Sequence, residues 1–296
     1  LYQAYQLYKD DLSAEDFSML ATDIAYFYIE EDCGTEEAAA GLLQQAIQKG
    51  MPFAETYYAL GLLLYRRNHF NDALALFKTA CEYKPIPGYQ YNYGVCLYKC
   101  GLRAECITLL EAITDSEVIT EDGTRALLLL GNLFAIEGKI DLAKRMVEKL
   151  IDWNNITPEI EPVDLAELMF RIGEYEKCTS LYETEPLFPA VDWLGLYFYC
   201  LKVSGQQGKA RIQMDEVIDY LQSMMDETKD CLADTPDLQD EIQDRIAALH
   251  NDISDIQKEF HDVFDCDKKP VIDLVPQLAY SCYYINCPRH SDELRL

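Results

Sequence analysis

Small residues and turn signals recur along this chain at roughly the spacing of one helical hairpin, and that period constrains the fold more than any other feature. Gly101, Gly138, Gly173 and Gly205 are 37, 35 and 32 residues apart. The clearest unit runs from Ala54 to Pro85. Counted from Ala54, Tyr57 falls at position 4, Leu60 at 7, Gly61 at 8 and Leu64 at 11. Ala73 then falls at 20, Phe77 at 24, Ala80 at 27 and Pro85 at 32. Two helices that cross closely need small side chains at the crossing, which Gly61 and Ala73 supply. Phe77 and Leu64 fill the space beside it. Pro85 ends the second helix, because it has no N–H and disfavours helical backbone in the residue before it. A hairpin of this kind cannot bury its apolar face alone, so it must stack on neighbours.

These eight positions carry the tetratricopeptide pattern. Looser copies follow at Tyr93-Gly94, Leu97, Gly101, Cys106 and Leu110; at Leu130-Gly131, Phe134, Gly138, Ala143 and Val147; and at Leu165-Ala166, Met169, Gly173, Cys178 and Tyr182. Tyr197, Leu201, Gly205, Ala210 and Met214 make a last copy. Upstream, Phe17–Ile29 and Glu36–Ile47 form a degenerate hairpin around Gly34, and Leu1–Lys9 looks like part of an earlier one. The stretch from Gly50 to Gly61 also hints at the related Sel1-like spacing, which would change the label and not the architecture. The expected fold class is all-α, a right-handed helical solenoid of the tetratricopeptide type.

After Lys209 the period changes. Met214, Ile218, Leu221, Met225, Thr228 and Leu232 step by 4, 3, 4, 3, 4. Ile242, Ile246, Leu249, Ile253, Ile256, Phe260 and Val263 step by 4, 3, 4, 3, 4, 3. Between them Thr235 reads as an N-cap and Pro236 as a first helical residue. Two heptad seams joined by a short turn predict an inserted antiparallel coiled-coil hairpin. From Leu221 to Asp265 there are 13 acidic and three basic side chains. That surface is either a solvated face or a docking face for a basic partner. Ile272, Val275, Leu278, Ala279 and Cys282 lie on one helical stripe, with Pro288 at the following turn. The expected organisation is therefore a repeat array over 1–208, the long hairpin over 209–266, and a resumed, truncated helical repeat over 267–296.

Composition narrows the function. Among 296 residues, 52 acidic against 25 basic side chains give a net charge of −27. Such a surface repels phosphate backbones and anionic lipid headgroups, which argues against nucleic acid and polybasic membrane docking. No apolar run reaches the roughly 20 residues of a membrane-spanning helix. Eleven cysteines, an odd and irregular set mostly inside apolar patterns, read as small hydrophobes in a reducing, cytoplasmic setting. The sequon Asn155-Ile156-Thr157 then carries little weight. Leu1 already lies inside a helical pattern and Ser291–Leu294 reads as the start of another helix, so a piece of a longer protein is expected. The search for an enzyme returns no catalytic residue, cofactor loop or nucleophile elbow. His69, His250, His261 and His290 are scattered. His250 and His261, with Glu259 and Asp262, read as solvated surface residues, and Cys96 with Cys100 as core packing. No metal and no cofactor are expected.

The first helix of each hairpin lines the concave face of such a solenoid. In the clearest unit the concave positions are Glu55, Tyr58, Leu62, Tyr65 and Arg66; in the next they are Gly88, Tyr91, Val95, Tyr98 and Lys99. With only Arg66 and Lys99 available, a clamp for a C-terminal carboxylate is not expected. A Tyr-rich groove suits an extended, Pro-rich protein segment, since flat rings pack on a polyproline ridge. The expected partner-binding set is Tyr58, Leu62, Tyr65, Arg66, Tyr91, Val95, Tyr98 and Lys99. The same rings serve equally well as packing between repeats, and both readings stand at this level.

The serial order of features adds a resemblance. Leu1-Tyr2-Gln3-Ala4 and Leu7-Tyr8-Lys9 open the chain, and Tyr28-Ile29-Glu30-Glu31-Asp32 marks a turn. Leu60-Gly61-Leu62-Leu63-Leu64-Tyr65 and Tyr91-Asn92-Tyr93 follow, then Ala210–Asp215 leads into the long hairpin and Pro276–Tyr284 resumes the repeats. This succession resembles the tetratricopeptide subunit of the intraflagellar transport B complex. The resemblance implies a non-catalytic subunit of a hetero-oligomeric complex whose superhelix wraps a Pro-rich segment of a neighbouring subunit. It also implies a role in cilium assembly and tubulin polyglutamylation, and a ciliary location. The alternative expectation is a generic peptide-binding adaptor or chaperone of the same repeat class.

Overall fold

The computed structural model describes residues 9–30, 34–115, 118–156, 158–184, 193–231, 238–280 and 284–285, apart from the side chain of Cys231. Several expectations lie outside them: the hairpin piece at 1–8, the turn at Glu31 and Asp32, the cap at Thr235 and Pro236, and Leu232, Cys282, Pro288 and His290. Thr157 of the sequon lies outside as well. The described residues hold thirteen α-helices and no strand, the all-helical hairpin array that the repeats predict. No described helix is long and apolar enough to cross a membrane. Two compact units divide the chain. The first is Leu1–Leu130 with Val275–Leu296, and the second is Gly131–Leu274.

The first unit is built from α1 (Ala14–Glu30), α2 (Glu36–Gln48), α3 (Ala54–Arg66), α4 (Phe70–Tyr83), α5 (Pro87–Lys99), α6 (Arg103–Thr114) and the start of α7 (Glu121–Ile136). Successive helices pair as hairpins, and α1 also touches α3. The hydroxyls of Thr22 on α1 and Thr56 on α3 meet at 2.7 Å in the interior. The crossing of α3 and α4 is as tight as its composition requires. A Cβ on Gly61 would stand 3.0 Å from the Phe77 ring, and Ala73 and Phe77 are wholly buried. At the start of α5, Pro87 takes a first-turn position where no N–H is needed.

One turn repeats in both units. After the helix, a residue with positive φ is followed by an N–H that bonds back five residues. Gly101, Gly138, Gly173 and Gly205 all have φ between 71° and 80°. Leu102 donates to the Leu97 carbonyl at 2.9 Å, and Gln206 to that of Leu201 at 2.8 Å. This closure satisfies helix-end carbonyls that would otherwise lack donors. Asn68 holds the same place between α3 and α4, with φ 62° and the His69 N–H on Leu64 O at 2.8 Å. Asparagine tolerates left-handed backbone better than most residues, so this member escapes a search for glycines alone.

The second unit continues with α8 (Ile140–Asn154), α9 (Pro162–Arg171), α10 (Tyr175–Tyr182), α11 (Leu194–Val203), α12 (Gln207–Cys231) and α13 (Gln239–Phe264). Helices α12 and α13 pack on each other, and α11 packs on both. The Arg211 guanidinium, near the start of α12, lies 5.2 Å from the ring of Phe260, near the end of α13, so the two run antiparallel. Met214, Val217, Ile218 and Leu221 of α12 are buried, as are Leu249, Ile253, Ile256, Phe260 and Val263 of α13. Farther along, Met225, Thr228, Ile242 and Ile246 are only half-buried. The seam is thus closed at its base, beside α11, and open towards its tip.

The expected resumption of helical repeats at 267 is not what the structure holds over 267–280, where there is no regular secondary structure. Pro270 and Pro276 explain it locally. Each lacks an N–H and pushes the residue before it towards extended backbone. Asp267, with φ 55°, turns the chain out of α13.

Candidate functional site

In the first unit, the faces of the first helices meet an extended segment of the same chain. Asn92, on α5, is wholly buried and pairs with the main chain of Ala279 on both sides. Its Nδ2 donates to the Ala279 carbonyl at 2.8 Å, and its Oδ1 accepts the Ala279 N–H at 2.7 Å. A side-chain amide thus does what a neighbouring β-strand would do. The Ala279 N–H and carbonyl also fix which end of the Asn92 amide is which. Asn92 Nδ2 donates to Tyr58 Oη as well. Tyr58, on α3, turns its hydroxyl towards Ala279 O at 3.5 Å. Tyr91 donates to Gln277 O at 3.1 Å. On α1, the Asp23 carboxylate accepts the Ile285 N–H at 2.8 Å, and the Tyr26 ring meets the Tyr284 ring edge-on at 5.1 Å.

The rings that frame this segment are themselves held. Tyr58 stacks on Tyr89 with centroids 4.4 Å apart and leans on Phe77 at 5.5 Å. Burial raises the Tyr91 phenol well above its ordinary pKa, so it stays protonated and a donor. Burial also pushes Asp23 up to about 6; the Ile285 N–H opposes this and the Glu55 carboxylate adds to it. Glu55, nearly buried, pairs with Lys84 at 3.0 Å.

The eight residues expected to line a groove divide into four kinds. Tyr58, wholly buried, and Tyr91, nearly so, both reach the extended segment. Leu62 and Val95 are wholly buried packing residues. Tyr65 is half-buried against the Phe70 ring at 5.1 Å, its phenol pushed up to about 12 by burial. Arg66 is exposed, with its guanidinium 5.6 Å from the Tyr280 ring and a bond to Ile29 O at 3.4 Å. Tyr98 and Lys99 are half-buried. The residue that organises the site, Asn92, is absent from the expected set. Its signal is an amide set between Tyr91 and Tyr93 on a helix otherwise apolar on that side.

The second unit holds the preceding residues in a different way. Lys269 places its ammonium 5.1, 5.5 and 5.9 Å from the ring centres of Phe170, Tyr175 and Tyr199. It donates to Tyr175 Oη at 3.0 Å. Arg171 donates to Ile272 O at 2.9 Å. A cleft of about 360 Å³ beside them is lined by Ala135, Ile136, Phe170, Arg171 and residues 269–272.

The described histidines lie elsewhere. His261, at the exposed end of α13, bonds through Nδ1 to Asp265 at 2.8 Å, with Cys266 Sγ 3.4 Å from Nε2. Among the described residues no cluster of three or more His, Cys, Asp or Glu is arranged to hold a metal ion. Cys96, Cys106, Cys178 and Cys200 are buried. Burial pushes the thiols of Cys81, Cys96 and Cys106 up to about 12, which suits packing and not nucleophilic chemistry.

Residues 54–86 match the tetratricopeptide repeat family model. Against curated proteins the sequence has no match. Among solved structures, Pseudomonas aeruginosa PilF is similar with a TM-score of 0.56 and 18% identity, over 69% of this chain and 91% of that one. A tetratricopeptide repeat protein from Parabacteroides merdae has a TM-score of 0.54 at 12% identity, over 83% and 98% of the two chains. The C-terminal part of a repeat-containing protein from Cytophaga hutchinsonii has a TM-score of 0.51 at 17% identity, over 80% and 95%. At these identities the likeness is one of fold.

Proposed function

We propose that this tetratricopeptide repeat protein is a non-catalytic scaffold that holds an extended protein segment on the first-helix face of its N-terminal unit. The observation that carries the reading is the Asn92 amide paired with both main-chain groups of Ala279, flanked by the Tyr58 and Tyr91 hydroxyls. Such a site recognises extended backbone by its own donors and acceptors, the mode in which main-chain bonds give affinity and side-chain pockets give selectivity.

The specific assembly in this proposal is the intraflagellar transport B complex, with this chain as its tetratricopeptide subunit around a Pro-rich segment of a neighbour. That step is supported by the serial order of repeats with one long inserted hairpin. A second reading, a general peptide-binding adaptor, is favoured by the clamp itself, which grips Gln277 and Ala279 by their main chain. Affinity purification of the tagged protein from its own cells, with mass spectrometry, separates the two. Recovery of the other intraflagellar transport B subunits is expected. One dominant unrelated protein, with those subunits absent, would transfer the function to the adaptor reading.

A further inference from the structure

Through Asp23, Tyr58, Tyr91 and Asn92 the first unit holds the described residues of this segment, 275–280 and 284–285, by their main chain. The groups engaged are the Gln277 carbonyl, the Ala279 N–H and carbonyl, and the Ile285 N–H. The strap's side chains add the Tyr284 ring edge-on to Tyr26 and the Tyr280 ring beside Arg66. Pro276, Leu278 and Ala279 are buried, while Val275, Gln277 and Tyr280 face outward, Val275 at 56% and Tyr280 at 52% exposure. A helix is the alternative that the apolar stripe of this segment favours, and the segment forgoes it for an extended path. These are the properties of a bound peptide more than of a core element. Another segment with a proline, an apolar residue two places on and a small residue next would meet the same donors, acceptors and pockets.

We infer that residues 275–280 are a built-in ligand that closes the Asn92 site, so that an extended segment of a partner binds by displacing them. The partner's segment has the same chemistry: extended, Pro-containing, apolar, with a small side chain opposite Asn92. This rests on the scaffold reading only for the existence of a partner. The closure itself is testable with the chain's own sequence.

The test uses the full chain carrying Ala279→Arg, which cannot seat a 2%-exposed alanine position and leaves every groove residue unchanged. A fluorescent peptide with the sequence of residues 273–285 is titrated into native and variant chains by anisotropy. The variant is expected to bind the peptide at least about tenfold more tightly than the native chain, a difference of about 1.4 kcal/mol. Adding Asn92→Ala to the variant should abolish that binding. Equal affinity for both chains, or no binding to a variant that melts like the native protein, would overturn the inference and make the strap a fixed part of the core. If the variant does not fold, hydrogen exchange on the native chain decides. The Ala279 amide is expected to exchange about a hundredfold faster than the interior amides of α3 and α5, through local opening. Equal protection would overturn the inference. Peptide binding to Ala279→Arg together with capture of no transport subunit would instead sink the assembly reading and leave the closure standing.

Discussion

At the residue scale, Asn92 and Asp23 carry opposite burdens. Asn92 is buried with its donors and acceptor satisfied by Ala279 and Tyr58. Truncating it strands the Ala279 N–H and carbonyl, so Asn92→Ala is expected to cost about 2 kcal/mol in urea unfolding. A change below about 0.5 kcal/mol would mean that the strap adds nothing to the fold. Tyr58→Ala is the wrong probe of the same site. It empties a wholly buried position stacked on Tyr89 and strikes folding first, so Tyr58→Phe is the change that isolates the hydroxyl. Asp23 has its folded pKa raised from 3.8 to about 6 by burial. Between those values the folded chain holds a proton that the unfolded chain has released, so this carboxyl favours folding more as pH falls through that window. Above the window it is a buried charge. Asp23→Asn keeps an acceptor for the Ile285 N–H and removes the charge. Its stability relative to the native chain should therefore be highest at neutral pH and shrink as pH falls through 6 towards 4. A difference independent of pH in thermal melts would contradict this.

At the element scale, two glycines inside helices should respond oppositely to alanine. Gly61 faces the Phe77 ring at the α3–α4 crossing, and that ring is itself wedged against Tyr58. A methyl 3.0 Å from it must move a fully buried pair, so Gly61→Ala is expected to destabilise by about 1–3 kcal/mol despite better helix propensity. Gly41, inside α2, has nothing within 4 Å of where a Cβ would stand, and Gly41→Ala should stabilise by about 0.5–1 kcal/mol. Urea midpoints that moved in the same direction would refute the packing argument. The long hairpin shows the same competition along its length. Its heptad period is continuous in sequence, yet burial holds only from Met214 to Leu221 and from Leu249 to Val263, where α11 supports one side. Two helices alone cover the tip less well, so Ile242 and Ile246 stay half-exposed.

At the scale of the whole molecule, the net charge of −27 acts on the folded state as self-repulsion. The prediction is that thermal stability rises as salt goes from about 20 mM to about 200 mM, since screening relieves that repulsion. A falling midpoint would mean that ion pairs such as Arg67 with Glu36 and Glu37 outweigh it. Most of the array is legible in the amino-acid sequence. The crossing residues Gly61 and Ala73 and the four turn glycines are local, periodic signals that the structure obeys, while the two heptad seams are buried only from Met214 to Leu221 and from Leu249 to Val263. The path after the long hairpin is not legible in the same way. Ile272, Val275, Leu278 and Ala279 do sit on a helical stripe, and two prolines are the local warning against it. The extended path is completed by Asn92, 187 positions away from Ala279 in the chain. Sequence period alone determined the helical hairpins, because it records which neighbours along one helix share a face. Only the tertiary structure decided what fills the groove, because that choice sets one segment's helix against main-chain bonds offered by distant helices.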